Sequence, residues 1–215
     1  MTLHALIVDD HPVVQKGFIE ILHENFDDAR IEAVRTGKQF AECIQQCDYD
    51  IVFLDILLPD LNGLDILKDM KKRRPNLCVL VVSEYPEELY ALRAIRAGAH
   101  GYLTKECEPE ELVDAVKAVL SGKKYINPRF KSKMITNFES YIEKPAHDKL
   151  SNTELQVMRM FCSGKCIKDI ARELNLSINS IRAYRMHIMA KIGVKGMEGL
   201  IHYALKHGIA ECRNG

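Results

Sequence analysis

Asp9 and Asp10 directly follow an apolar run at residues 3–8, and Asp55 directly follows Ile51-Val52-Phe53-Leu54. Short continuous apolar runs of this kind read as parallel strands covered on both faces. A carboxylate at the mouth of such a layer is costly to take out of water. Pro59, Asn62 and Gly63 behind Asp55 are turn residues, so the strand ends there and a loop begins. Ser83 follows a third apolar run at residues 77–82, and Lys105 lies just past a short one at residues 101–103. In an open parallel sheet flanked by helices, ligands bind at the carboxyl ends of the strands, near the point where the strand order reverses. The polar residues in question all fall there.

Each has a plainer reading. Asp10 suits the N-cap of a helix entered at Pro12. Asp55 suits a turn, Ser83 a cap and Lys105 a solvated loop. Those readings do not explain why three carboxylates converge at one end of a sheet. Two like charges ~4 Å apart repel by about 4 kcal/mol at an effective dielectric of about 20. A hard divalent cation removes that repulsion, and Mg²⁺ prefers carboxylates together with water and phosphate oxygens. A lysine and a hydroxyl beside it suit a phosphoryl group, which an aspartate accepts as an acyl phosphate.

The elements that must position these residues alternate. Helical spacing appears in Val14, Phe18, Ile21 and Leu22, in Phe40, Cys43, Ile44 and Cys47, and in Leu64, Leu67 and Met70. It returns near residues 86–97 and in Leu112, Ala115, Val116 and Val119. Residues 31–35 are more charged than the other strand candidates and suit a sheet edge. Five strands alternating with five helices predict an open, doubly wound parallel α/β domain over residues 1–122. Residues 123–147 are basic, carry Pro128 and Pro145, lack a long apolar stripe and read as a linker with some helical content.

After Leu150 the period is helical throughout, predicting a second, all-α domain over residues 148–215. Ser151-Asn152-Thr153-Glu154 has the form of a capping box before a helix that Gly164 ends. A short helix carrying Ile167, Ile170, Ala171 and Leu174 follows, then the turn Asn175-Leu176-Ser177. A third helix, capped by Ser177 and stopped by Gly193, points Ile181, Tyr184, Ile188 and Ile192 inward. This is helix-turn-helix spacing. The third helix's outer face centres on Asn179, Ala183, Met186 and Ala190. Arg182 and Arg185 flank it on one side, and Ser180, His187 and Lys191 on the other. Basic rims around a low centre suit a helix lying in a DNA major groove.

Charge follows the same division. Residues 1–124 hold 15 Lys+Arg against 22 Asp+Glu, and residues 125–215 hold 15 against 8. An acidic half joined to a basic half points to different partners, nucleic acid for the basic one. No apolar run approaches the ~18 residues of a membrane span, and the N-terminus lacks a signal-peptide core. The 7 cysteines include no CxxC pair and point to reduced thiols in a cytoplasmic chain.

The stretches "LIVDDHP", "LDILLPDLNG", "VVSEYP" and "GYLTKE" resemble the receiver domain of bacterial two-component response regulators. The segment "LSNTELQVMRMFCSGKCIKDIARELNLSINSIRAYRMHIMAKIGV" resembles the LuxR-type helix-turn-helix, and together they look like the NarL/FixJ class. The resemblance implies a flavodoxin- and CheY-like receiver with strand order 2-1-3-4-5. It implies a regulator of transcription, not an enzyme, in which Asp55 takes a phosphoryl group from a sensor histidine kinase. Asp10 and the Leu57 backbone carbonyl would ligate Mg²⁺, with Asp9 acting largely through water. Lys105 would pair with the phosphoryl oxygens, Ser83 would donate its hydroxyl, and Tyr102 would turn inward once Ser83 is drawn to the phosphate. Glu84 departs from the pattern, placing a carboxylate where many receivers carry a small residue.

In the second half, the resemblance maps base reading to Arg182, Ala183 and Met186. Lys168, Arg185 and Lys191 would contact the phosphate backbone, and Asn179 and Ser180 lie on the same surface. Tyr184 stands where a histidine is usual in the family, and Thr153 where an arginine is. The last helix, with Leu200, Ile201, Ala204 and Leu205, is similar to one that pairs such domains on DNA, implying a homodimer on a two-fold operator. Two rivals remain open in the sequence. A haloacid-dehalogenase phosphatase wants a second aspartate two residues after its nucleophile, and position 57 is leucine. A regulator of the same fold acting without phosphorylation would leave the acidic site unused.

Overall fold

The computed structural model describes residues 2–136 and 145–210. Residues 137–144 of the expected linker and 211–215 of the expected DNA-binding domain lie outside the described residues. The chain divides into two compact units, Met1–Thr136 and Asn137–Gly215.

In the first unit, strands β1 (His4–Val8), β2 (Arg30–Val34), β3 (Ile51–Asp55), β4 (Cys78–Ser83) and β5 (Gly101–Thr104) form one parallel sheet in the order β2-β1-β3-β4-β5. The helices between and after them are α1 (Pro12–Asn25), α2 (Gly37–Gln46), α3 (Gly63–Arg73), α4 (Glu87–Ala97) and α5 (Pro109–Leu120). All of β3 is buried, whereas β2 is largely exposed, which explains why the sequence makes one strand apolar and the other charged. Right-handed crossovers through this order place α1 on one face and α2, α3 and α4 on the other. On the first face Phe18 and Leu22 of α1 join Leu112, Val116 and Val119 of α5 over Ile7, Phe53 and Leu80 of the sheet. A sixth helix, α6 (Pro128–Thr136), lies within the stretch read as linker and groups with the first unit.

The crossovers diverge between β1 and β3, which pair directly, Val8 opposite Leu54. That divergence opens a crevice at the strands' carboxyl ends. Asp9 and Asp55 stand on its two sides.

The second unit begins with a short 3₁₀ turn (Ala146–Lys149), then α7 (Asn152–Cys162), α8 (Ile167–Glu173), α9 (Ile178–Ile192) and α10 (Gly196–Lys206). The capping box closes as the sequence reads. Glu154 N–H donates to Ser151 Oγ at 3.2 Å, and Ser151 N–H donates to Glu154 Oε2 at 2.7 Å. Ser177 caps α9, accepting from Ser180 N–H at 3.0 Å, and Gly193 ends it with φ +80°. Asn175 bends the chain between α8 and α9 with φ +51°.

One glycine is required for a different reason. Gly63 opens α3 against the end of β3, and a Cβ there would lie 2.0 Å from the Asp55 carbonyl oxygen. Its N–H donates to Ile56 O at 2.8 Å, drawing the helix start onto the strand end. Gly63→Ala is expected to destabilise the first unit by about 3 kcal/mol, read as a lowered thermal midpoint. A melting curve unchanged from the parent would contradict this close approach.

Candidate functional site: a carboxylate–lysine cluster and a basic helix

Four strand ends deliver the site. Asp9 follows β1, Asp55 is the last residue of β3, Ser83 the last of β4, and Lys105 the first beyond β5. Asp9 and Asp55 are 3% and 2% exposed, and the Lys105 side chain 5%. Lys105 is therefore no solvated loop charge. Its Nζ donates to Asp9 Oδ2 and Oδ1 at 2.7 and 2.9 Å and to Asp55 Oδ2 at 2.8 Å. One buried ammonium bridges two buried carboxylates. Burial raises the Asp55 pKa to about 6, even though Lys105 pulls it down. Burial alone would depress Lys105, but Asp55 and then Asp9 hold it above its usual value.

Asp10 does not cap α1. The N-cap is His11, without a side-chain capping bond. Oδ1 of Asp10 is buried and accepts no hydrogen bond among the described residues, although His11 Nδ1 lies 2.9 Å away. That separation is short, but its direction does not make a bond. One ligand atom from each of Asp9, Asp10, His11 and Asp55 lies within 4.8 Å of the others. An oxygen-rich, negatively charged cluster with an unsatisfied buried oxygen fits a hard cation. Leu57 adjoins it, its N–H donating to Asp55 Oδ1 at 3.2 Å.

Ser83 and Tyr102 belong to a neighbouring chain of bonds. Ser83, 1% exposed, accepts from Tyr85 N–H at 3.3 Å, and Tyr102 donates its hydroxyl to Tyr85 O at 2.6 Å. Tyr102 is already inward, 1% exposed, where the sequence expects it to arrive by rotation. The Tyr85 ring stacks on Tyr90 with centroids 4.7 Å apart. Glu84 is exposed, its carboxylate 3.9 Å from His11 Nε2.

The sequence reading misses two residues. His11 joins the cluster, and its signal is a titratable ring placed directly after two carboxylates. Gln15 donates from Nε2 to Asp9 O at 2.7 Å and Val34 O at 2.9 Å, fixing the backbone that carries Asp9. Its signal is an amide on the same buried face of α1 as Phe18 and Leu22.

In the second unit, Ile181, Ile188 and Ile192 of α9 are buried, and Tyr184 only partly. Asn179, Arg182, Ala183 and Met186 are exposed, Met186 at 69%, and Arg185 is partly exposed. This large exposed methionine among cations leaves an apolar centre with charged edges. Arg182 leans on Asn179 Oδ1 at 3.4 Å, and Ser180 shares its hydroxyl with Ser177 at 2.8 Å. Lys168 is exposed on α8. Lys191 differs from the other cations: its ammonium donates to the buried Glu154 at 2.5 Å, which competes with any contact to a phosphate backbone.

The raised Asp55 pKa sets a pH dependence. Between about pH 4 and 6 the folded protein holds a proton at Asp55 that the unfolded chain has released, so stability falls as pH rises through that window. Asp55→Asn removes the buried charge and is expected to raise stability above pH 6 by about 2–3 kcal/mol, with no gain at pH 4. Urea unfolding at the two pH values measures it; a destabilised variant at pH 8 would contradict the assignment.

Residues 5–117 match the response regulator receiver domain, and residues 148–204 match the bacterial regulatory proteins of the luxR family. The Fimbriae Z protein of Salmonella typhimurium is 34% identical over 207 residues, covering 94% of this chain and 96% of that protein. Response regulator UvrY of Escherichia coli is 27% identical over 208 residues, covering 96% and 95%. Among solved structures, the Salmonella typhimurium RcsB response regulator aligns with TM-score 0.57 at 26% identity, covering 94% of this chain and 97% of that one. A structure of two RcsB dimers bound to DNA aligns with TM-score 0.58 at 25% identity, covering 94% and 98%. Two matched domains in this order, carried by relatives of nearly the same length, place the chain: it belongs to the two-component response regulators of the NarL/FixJ class, a receiver domain followed by a LuxR-type helix-turn-helix.

Proposed function

We propose that this chain is a cytoplasmic regulator of transcription that takes a phosphoryl group on Asp55 from a sensor histidine kinase and thereby controls DNA binding by α9. The observation that carries it is the Lys105 ammonium held between Asp9 and Asp55 at the carboxyl ends of the strands. An Asp55 oxygen attacks the phosphorus of a phosphohistidine, the P–N bond breaks, and the imidazole leaves with that bond's electron pair and takes up a proton. Asp55 must be ionised to attack, and burial that strips it of water leaves it reactive. Lys105 lies where it would meet the phosphoryl oxygens as Asp55 loses its negative charge.

Asp10, Asp55 and the Leu57 carbonyl would hold Mg²⁺, with Asp9 acting largely through water, and the ion would supply neutralisation of charge on the transferring oxygens. Asp10 Oδ1, buried without a hydrogen bond, is the atom of this structure that supports that role. Ser83 would donate to a phosphoryl oxygen and so loosen its bond from Tyr85 N–H, the link through which Tyr102 is tied to the site. That is a local charge event acting on a packed aromatic.

For the second unit, Arg182, Ala183 and Met186 are assigned to base edges, with Arg182 able to grip a guanine bidentately and the other two offering apolar contact to a thymine methyl. Asn179, Ser180, Lys168 and Arg185 position the helix on the duplex, and Lys191 joins them only by leaving Glu154. RcsB, a relative of the same class, is solved as dimers on DNA, which supports a dimer of this chain on a two-fold operator.

Incubation with acetyl phosphate and Mg²⁺, followed by peptide mass mapping, is expected to add one phosphoryl group at Asp55. Lys105→Ala is expected to slow the labelling at least about 100-fold, as for loss of a preorganised charge at a reacting group. An unlabelled Asp55 would favour a DNA reader of this fold acting without phosphorylation, and label on another residue would overturn the assignment of the acceptor.

A further inference from the structure

A cleft of about 460 Å³ lies between α2 and α3, away from the carboxylate cluster. Phe40, Ala41, Ile44, Ile66 and Met70 supply its apolar wall, with Leu61 at its mouth. Leu61 is 54% exposed, an apolar side chain left at an opening where solvent would favour a polar one. Clefts of roughly 300–1,000 Å³ with apolar walls and a few polar groups are the size that small ligands occupy.

The rim fixes the sign of the charge such a ligand would carry. Four polar residues line it: Gln45, Asp69, Arg73 and Arg74. Arg74 is paired with Asp48, and Asp69 with Lys72 at 2.6 Å. Arg73 is exposed and makes no ion pair within 4.0 Å among the described residues. It acts on Asp69 only through space, after Lys72, in holding that carboxyl below its ordinary range. The rim therefore presents one uncommitted cation beside an apolar wall.

The cleft also shares a loop with Asp55. Leu57 and Asn62 pair as an antiparallel bridge, closing residues 57–62 into a tight loop. At the base of that loop Leu57 N–H donates to Asp55 Oδ1 at 3.2 Å. Near its tip the two Asp60 oxygens accept from Gly37 and Lys38 N–H at 2.8 and 2.9 Å, pinning it to the first turn of α2. Leu61 follows and lines the cleft. The Asp60 side chain thus ties the start of α2 to a loop whose other end, Leu57, bonds the Asp55 carboxylate.

We propose that the α2–α3 cleft binds a small amphipathic anion, an apolar body carrying one carboxylate or sulfonate, and that its occupancy is felt at Asp55 through residues 57–62. The body packs among Phe40, Ile44, Ile66 and Met70, and the anionic head meets Arg73. Neither the cleft nor its occupant involves a phosphoryl group, so this inference and the reading of Asp55 as acceptor fail separately.

The test is a titration of the isotopically labelled full chain, followed by methyl and amide NMR, with octanoate as the probe and 1-octanol as its neutral counterpart. Octanoate is expected to move the Ile44 and Ile66 methyl signals saturably, with the Leu57 and Asn62 amides following at the same midpoint. Arg73→Gln is expected to weaken octanoate about fivefold while changing 1-octanol by less than about twofold. Ala41→Trp fills the mouth and is expected to abolish the response to both. Both substituted residues are exposed, so neither change removes a buried contact. Methyl shifts that do not saturate, or that survive Ala41→Trp, would overturn the site. Equal weakening of both probes by Arg73→Gln would overturn the recognition of charge, and unmoved Leu57 and Asn62 amides the link to Asp55.

Discussion

The first unit depends on one lysine. Asp9 and Asp55 are both nearly removed from water, and Lys105, equally buried, is the cation that bonds to each. Breaking a buried ion pair by deleting one partner leaves an uncompensated charge, which costs far more than the intact pair gains. Three side chains from three strands are thereby tied to one another, and without Lys105 the two carboxylates would stand buried and unpaired. The parallel sheet meets that demand. Apolar central strands fix the register, and the divergence of crossovers between β1 and β3 leaves room for polar groups at their ends. The compensation is incomplete, because Asp55 still titrates near 6. A carboxylate left partly uncompensated by its own protein is one that a bound cation relieves.

The helix-turn-helix applies a related rule to the opposite end. Glu154 is buried because it does two things at once. It closes the capping box of α7 through Ser151, and it accepts the Lys191 ammonium from α9. Burial raises its pKa, but Lys191 and the Ser151 bonds outweigh that and hold it below its ordinary value. The bond fixes α9 against α7, so the face carrying Arg182, Ala183 and Met186 is presented on a braced helix. It also removes one cation from the surface that the charge pattern alone would assign to DNA.

Much of this was legible in the sequence, and the reasons differ by residue. The strands were visible because burial on both faces requires unbroken apolar runs, and the edge position of β2 because its residues are charged. The four strand-end positions followed from where those runs stop. Ser151, Glu154, Ser177 and Gly193 were readable as caps because capping chemistry is local. What sequence could not display was partnership across the fold. The lysine was visible, but not that it would grip both carboxylates across separations of 50 and 96 residues. Nor was the Lys191–Glu154 bond across 37, or the Gln15 amide holding β1 to β2. The α2–α3 cleft is a volume, and its lining residues carry no motif.

The central claim is that the charge state of Asp55 governs the DNA-reading helix of a separate unit. Its most direct test is the affinity of the full chain for a two-fold operator fragment, measured at fixed salt before and after quantitative phosphorylation of Asp55. Coupling between two sites of one chain corresponds to about 5–150-fold, and a tightening within that range is the result expected here. Identical affinities in the two states, with Asp55 verified as modified, would contradict the account.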